Sequence, residues 1–239
     1  NYADIVLASY EDSLTTGKAL DAAIKTLVAT PTEANLEAAK TAWLAAREPY
    51  LQTEVYRFYE GPIDNETDGP EGLLNAWPMD ENYVDYTADN ADAGLINDTT
   101  FEINAANVEG ANEAGGEKNI ATGYHAIEFL LWGQDTSDTG PGTRPYTDFV
   151  TDGSGTAANQ DRRGQFLSVC GDLLVTHLTM LRDAWADGGS YGASFAEGGD
   201  ASLEKILTGM IVLAGFETGG ERLQAALDAG DREEEHSCF

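Results

Sequence analysis

His125 and Glu128 stand three residues apart in Gly123-Tyr124-His125-Ala126-Ile127-Glu128. On a helix that spacing puts an imidazole and a carboxylate on one face. Groups so placed can share one metal ion, as Glu-x-x-His pairs do in helical carboxylate sites. The same spacing also makes an ordinary His–Glu hydrogen bond, and the pair alone leaves both readings open. Gly123, which has no Cβ, lets another backbone approach the pair closely. Zinc peptidases need more: H-E-x-x-H, or its inverted form H-x-x-E-H, supplies a second histidine on the same turn. Phe129 occupies that place here, so a peptidase would need ligands from distant parts of the chain. Nothing resembles a nucleophile elbow or a phosphate loop, and no catalytic residue is assigned. Of the other two histidines, His177 lies on an apolar stripe and reads as a core residue, whereas His236 lies near the end of the chain.

A short apolar helix from about Ala121 to Trp132 must carry the pair, and Gly133 ends it. Upstream, Leu20, Ile24 and Leu27 recur at helical steps. Thr30-Pro31-Thr32-Glu33 then reads as a helix start, with Thr30 as N-cap, Pro31 in the first helical position and Glu33 closing a capping box. The helix that follows carries Leu36, Ala39, Trp43, Arg47, Tyr50, Glu54 and Arg57 on one face, with a kink expected at Pro49. That stripe begins apolar and becomes charged, and Arg47 and Glu54 fall where core residues are expected. They read either as members of a functional cleft or as a buried ion pair bracing a bundle. From Gly61 to about Lys118 the periodicity gives way to loops and short helices, punctuated by Pro62, Pro70 and Pro78. Phe166, Cys170, Leu173, His177, Met180 and Ala184 mark a long amphipathic helix. A glycine-rich loop, Gly188 to Gly199, leads to a last helix carrying Leu203, Ile206, Met210, Leu213 and Glu217 and continuing to Leu227. No alternating run argues for a sheet, so the fold class is all-α with antiparallel bundles.

Composition narrows the partners. The 239 residues include 42 acidic and 13 basic side chains, a formal charge of −29. Phosphate binding needs a basic face, so nucleic acid is excluded as a partner, and anionic membrane surfaces are disfavoured. The field of such a chain attracts cations. No apolar run approaches the roughly 18 residues that read as a transmembrane helix. Two cysteines, Cys170 and Cys238, form neither a disulfide framework nor a zinc motif, and whether they pair stays open. The chain opens on a polar Asn1 without a basic leader, so an exported protein would be present here as a mature or trimmed form.

Taken together, these segments resemble the imelysin family. Gly-x-His-x-x-Glu at 123–128 continues as Phe129-Leu130-Leu131-Trp132-Gly133-Gln134-Asp135. Ala42-Trp43, Ala46-Arg47, Pro49-Tyr50 and Thr53-Glu54-Val55-Tyr56-Arg57-Phe58 are similar to the family's second helix. Gly61-Pro62-Ile63-Asp64 and Asn75-Ala76-Trp77-Pro78 resemble its following loops, and Gly219-Gly220-Glu221-Arg222 through Glu235-His236-Ser237-Cys238-Phe239 its late motif.

The resemblance implies an all-helical protein of two bundle-like halves, with the His-x-x-Glu pair near the cleft between them. We expect residues 1–120 to form an N-terminal half with a long loop excursion. We expect residues 121–239 to form the second half, and because members of the family usually continue past the His-Ser-Cys motif the resemblance implies that this half is truncated at its C-terminus. It also implies export to the periplasm or the outer membrane and a part in bacterial iron or haem uptake, alongside other envelope proteins. Carried over by residue, His125 and Glu128 become metal ligands, and Glu54 a further one. Gly123, Arg47, Asp64 and His236 become residues of the same cleft. Imidazole with carboxylate suits iron, or zinc, better than calcium or copper(I). The expected function is therefore that of a non-enzymatic protein binding a metal ion or an iron-bearing small ligand. The alternative implied by the family name is a metallopeptidase.

Overall fold

The structure, a computed structural model, describes residues 2–137, 139–224 and 227–228. It is all-α, with no strand among the described residues. In chain order the helices are α1 (Tyr2–Ala29), α2 (Glu33–Leu51), α3 (Glu71–Asn75), α4 (Glu81–Val84), α5 (Gly94–Asn97), α6 (Ala105–Ala111), α7 (Gly123–Trp132), α8 (Gln160–Trp185), α9 (Ser190–Glu197) and α10 (Asp200–Val212). Short 3-10 turns lie at Glu54–Tyr56 and Tyr146–Phe149, and Leu213–Gln224 continues from α10 in wider π-type turns. No helix among the described residues is long and apolar enough to cross a membrane.

Several element boundaries differ from those read in the sequence. α2 starts two residues past Pro31, because Thr32 rather than Thr30 caps it: its Oγ1 accepts from the Asn35 N–H at 3.2 Å and its carbonyl from the Leu36 N–H at 3.0 Å. At its other end α2 stops at Leu51, shortly after Pro49. Proline lacks the N–H that would extend the ladder, and Glu54 therefore sits in a 3-10 turn rather than on a continuing helix. The glycine-rich stretch expected as a loop contains α9. Its Phe195 is buried beside Trp185 and Tyr191, and this aromatic packing outweighs the low helical propensity of glycine.

The chain divides into two compact units, each built from separate stretches. Among the described residues, the larger unit takes 16–47 and 72–177, and the smaller takes 2–15, 48–71 and those between 178 and 228. In the larger unit, α1 and α8 run antiparallel in close contact. A Cβ on Gly164 would meet Val28 at 3.1 Å, and one on Gly171 would meet Asp21 at 2.8 Å. Lys25 clamps the same pair of helices, with Nζ 2.7 Å from both Asp21 and Asp172. In the smaller unit, Tyr2, Tyr56, Trp185, Tyr191 and Phe195 form an aromatic core. There α10 lies against the 3-10 turn through Gly209, whose added Cβ would overlap the Val55 carbonyl.

Candidate functional site

α7 is buried along its whole length in the larger unit. Its first residue, Gly123, has φ +79°, a conformation L side chains rarely adopt. A Cβ there would lie 2.6 Å from the Leu74 carbonyl carbon and 2.9 Å from the Leu73 oxygen. Glycine thus lets the start of α7 rest directly on the backbone of α3. Side chains fasten the contact. Thr122 Oγ1 donates to the Leu73 carbonyl at 3.0 Å, and Asn112 Oδ1 accepts the N–H groups of Ala121 (2.9 Å) and Thr122 (3.2 Å). From α2, Trp43 Nε1 donates to the Tyr124 carbonyl at 2.9 Å. From α8, Cys170 Sγ donates to the Ala121 carbonyl at 3.4 Å.

The far end of α7 is held by a buried ionic network that the sequence reading missed. Gly133 closes the helix at φ +73°, and the Arg144 N–H donates to the Trp132 carbonyl at 2.7 Å. The Arg144 guanidinium lies over the Phe129 ring at 5.5 Å. It pairs with Asp85 (2.9 Å) and Asp148 (3.0 Å). Arg163 grips Asp85 through Nε (2.7 Å) and Nη2 (3.0 Å). Tyr86 stands between both guanidiniums, 5.0 and 5.2 Å from its ring, and donates to Asp148. Its hydroxyl is pushed up to about 12, chiefly by burial. Asp85 is brought to Arg144 and Arg163 from 59 and 78 positions away, without periodicity to announce the pairing.

His125 and Glu128 meet as the spacing predicts: Nδ1 lies 3.0 Å from Oε2. Both are buried, His125 2 % and Glu128 6 % exposed. The other carboxylate oxygen, Glu128 Oε1, is buried with no hydrogen-bond partner among the described residues. Trp77 packs tilted against the imidazole with ring centroids 4.8 Å apart, and is itself 38 % exposed. Arg47 donates to Asn75 Oδ1, two residues from Trp77, and lies over the Tyr124 ring at 5.0 Å. It thereby ties the Trp77 segment to α2. The sequence reading quoted Asn75-Ala76-Trp77-Pro78 but did not place Trp77 at the imidazole.

The remaining candidates have other partners. Glu54 and Asp64 belong to the smaller unit. Both Glu54 oxygens accept from Arg222, Oε2 at 3.0 Å from Nη1, and Arg57 Nη2 lies 3.8 Å from Oε1. Glu54 is ion-paired, but with Arg222, 168 positions away, and Arg57, not with the Arg47 that shares its stripe in the sequence. Asp64 accepts the backbone N–H groups of Phe58, Tyr59 (3.1 Å) and Gly61 (2.7 Å), and shapes a loop in which Phe58 and Glu60 take positive φ. His177 is buried with Nε2 3.5 Å from Glu109, and burial lowers its pKa. His236 and Cys238 lie outside the described residues. Among the described residues, no group of three or more His, Cys, Asp or Glu side chains is arranged to hold a metal ion.

The profile of the imelysin family, peptidase M75, matches residues 6–239, nearly the whole chain. The chain belongs to the imelysin family. One relative, iron-regulated protein A of Synechococcus elongatus, is 41 % identical over 128 residues. That match covers 54 % of this chain and 29 % of the relative, so the chain spans under a third of that protein's length. In this imelysin, the buried His125–Glu128 contact and the glycine that seats α7 both fall within the matched segment.

Proposed function

We propose that this imelysin-family protein binds a metal ion or an iron-bearing small ligand at His125 and Glu128, and that it serves bacterial iron uptake outside the cytoplasm. The observation that carries the reading is the buried pair itself. Glu128 is withdrawn from water with one oxygen on the imidazole and the other, Oε1, without a hydrogen-bond partner among the described residues. A buried carboxylate oxygen left so is costly, and a cation reaching it would relieve that cost.

Imidazole nitrogen with carboxylate oxygen suits iron or zinc better than calcium or copper(I). The pair offers at most two donors, so the metal would bring further ligands of its own, as a chelate or with bound water. The charge of −29 supports the approach of cations through the long-range field. The name of the relative, iron-regulated protein A, supports iron over zinc. We place the protein in the periplasm or at the outer membrane, working with other envelope uptake proteins.

The test is elemental analysis of the purified protein beside a His125→Ala/Glu128→Ala variant, each also exposed to ferrous, ferric and zinc ions and then desalted. Stoichiometric metal that is lost in the variant is the expected result. Equal metal in both proteins would overturn the assignment. In the same preparation, zinc-dependent cleavage of an unfolded protein substrate would favour the metallopeptidase alternative, which rests at present on the family description alone.

A further inference from the structure

We infer that the outer face of α10 is a self-association surface: a second copy of this chain lays its own α10 against it, antiparallel, about a two-fold axis. The surface lies within the smaller unit and is independent of the His125–Glu128 pair.

Among the described residues, seven of the twelve exposed large apolar side chains fall between Leu203 and Leu227. Scattered apolar residues on a surface are ordinary, but a contiguous apolar patch marks a site of interaction. Leu203, Leu207, Met210 and Ile211, all on α10, are 48–68 % exposed. These four are not the side of the helix that holds it to its own fold. That side carries Gly209, against the Val55 carbonyl, and Lys205, whose Nζ donates to the Tyr191 hydroxyl at 3.1 Å. Residues 205 and 209 share one face of a helix, and 203, 207 and 210 share the opposite one. A helix on the rim of a fold carries polar residues on its outer side. Here that side is apolar, which needs a partner to explain it.

Spacing, charge and area point to a second copy. Leu203, Leu207, Met210 and the exposed Ala214, just past the end of α10, follow at steps of four, three and four. That is the seam by which one helix pairs with another. Turned end for end about a point between Thr208 and Gly209, Leu207 faces Met210 of the second copy, and Leu203 faces its Ala214. The inner layers then set large against large and the outer ones large against small. From Leu203 to Gly215 the charged residues are Glu204 and Lys205, and Lys205 is engaged with Tyr191. Antiparallel pairing sets Glu204 beside Leu213 of the second copy, whereas parallel pairing would set the two Glu204 carboxylates side by side. On a chain of charge −29 this is a stretch where two copies approach with few carboxylates between them. Each of the four large side chains offers on the order of 100 Å² to a partner. With Ala214 and the flanks of the seam, two copies bury on the order of 1,000 Å², the lower bound for a specific interface. An interface of that size between like-charged molecules makes a reversible dimer that tightens as salt screens the repulsion.

The test is sedimentation velocity of the 239-residue protein from micromolar to hundreds of micromolar. The expected result is a concentration-dependent species of twice the 25.5 kDa chain mass. Raising salt from about 0.1 M to 1 M, which shortens screening from about 10 Å to about 3 Å, should strengthen it. Leu207→Glu replaces an exposed side chain, so far-UV circular dichroism should stay native while the dimer weakens by about tenfold or more. Ile5→Glu, at an equally exposed apolar position on α1, should leave the dimer unchanged. Direction is read by cross-linking in a Cys238→Ser background: Leu203→Cys and Ala214→Cys chains, mixed, should join to each other through a short thiol-reactive linker, and neither should join to itself. A native protein that stays monomeric across the whole range at both salt concentrations would overturn the proposal and leave the face to a partner of another kind. A dimer that Leu207→Glu does not weaken, or that Ile5→Glu weakens as much, would overturn it too. Linkage of two Leu203→Cys chains in place of the mixed pair would overturn the antiparallel arrangement.

Discussion

Replacing Gly123 by alanine is the sharpest structural test of how the site is built. The residue sits at φ +79°, where an L side chain costs about 1–2 kcal/mol. Its new Cβ would lie 2.6 Å from the Leu74 carbonyl carbon and 2.9 Å from the Leu73 oxygen. Those atoms are backbone and cannot swing aside, so α7 must back away from α3. Forced overpacking of this kind costs about 1–3 kcal/mol. The two effects together predict a loss of roughly 2–5 kcal/mol in urea unfolding followed by circular dichroism and tryptophan fluorescence. The retreat also strains the Thr122–Leu73 hydrogen bond and the Trp77–His125 contact, so metal affinity should fall with stability. Gly110→Ala is the control. It lies inside α6, has no positive φ and meets nothing within 4 Å, so it should stabilise by about 0.5–1 kcal/mol. A Gly123→Ala variant that loses less than about 1 kcal/mol, below either contribution alone, would refute the close-approach argument.

Three further outcomes follow from the same structure. Asp85→Asn leaves the buried Arg144 and Arg163 with Asp148 as their remaining carboxylate, and should destabilise by about 3–5 kcal/mol in the same urea assay; a loss under about 1 kcal/mol would show that the network is dispensable. Burial holds the His177 pKa below its ordinary value, so below about pH 6.5 the unfolded chain takes up a proton that the native state refuses. Stability therefore falls as pH drops from about 6.5 towards the folded value, and the Tm of His177→Gln should converge on that of the native protein between about pH 7 and 5; parallel curves would contradict this. The Cys170 thiol is buried and its pKa is pushed well up by desolvation, so in a Cys238→Ser variant a thiol reagent should react only after denaturant is added; prompt reaction of the native fold would count against the burial.

Short-range physics made much of this protein readable from its sequence. α7 and α8 follow from their apolar patterning, Gly133 from the need for a left-handed residue at a helix end, and the His125–Glu128 contact from a three-residue step on one helical turn. Proline was read less well. At Pro49 a kink within a continuing helix was expected, but α2 ends at Leu51 and the charged face turns into a 3-10 turn. The helix in 190–197 was hidden because its support is tertiary: Phe195 is buried against Trp185, which local propensity does not report. The ionic partners were hidden for the same reason. Glu54 joined the candidate site through the family resemblance, and only the fold brings Arg222 to it from 168 positions away. Arg163 and Asp85, 78 positions apart, carried no local signal at all.

The central claim is that His125 and Glu128 hold an iron-type metal. Crystals grown with iron, and separately with zinc, would test it through anomalous scattering at the metal edge. The account predicts a peak at about 2.0–2.2 Å from a ring nitrogen of His125 or a carboxylate oxygen of Glu128, the usual metal–ligand distances. Stoichiometric metal bound elsewhere, with no peak at His125 or Glu128, would contradict it.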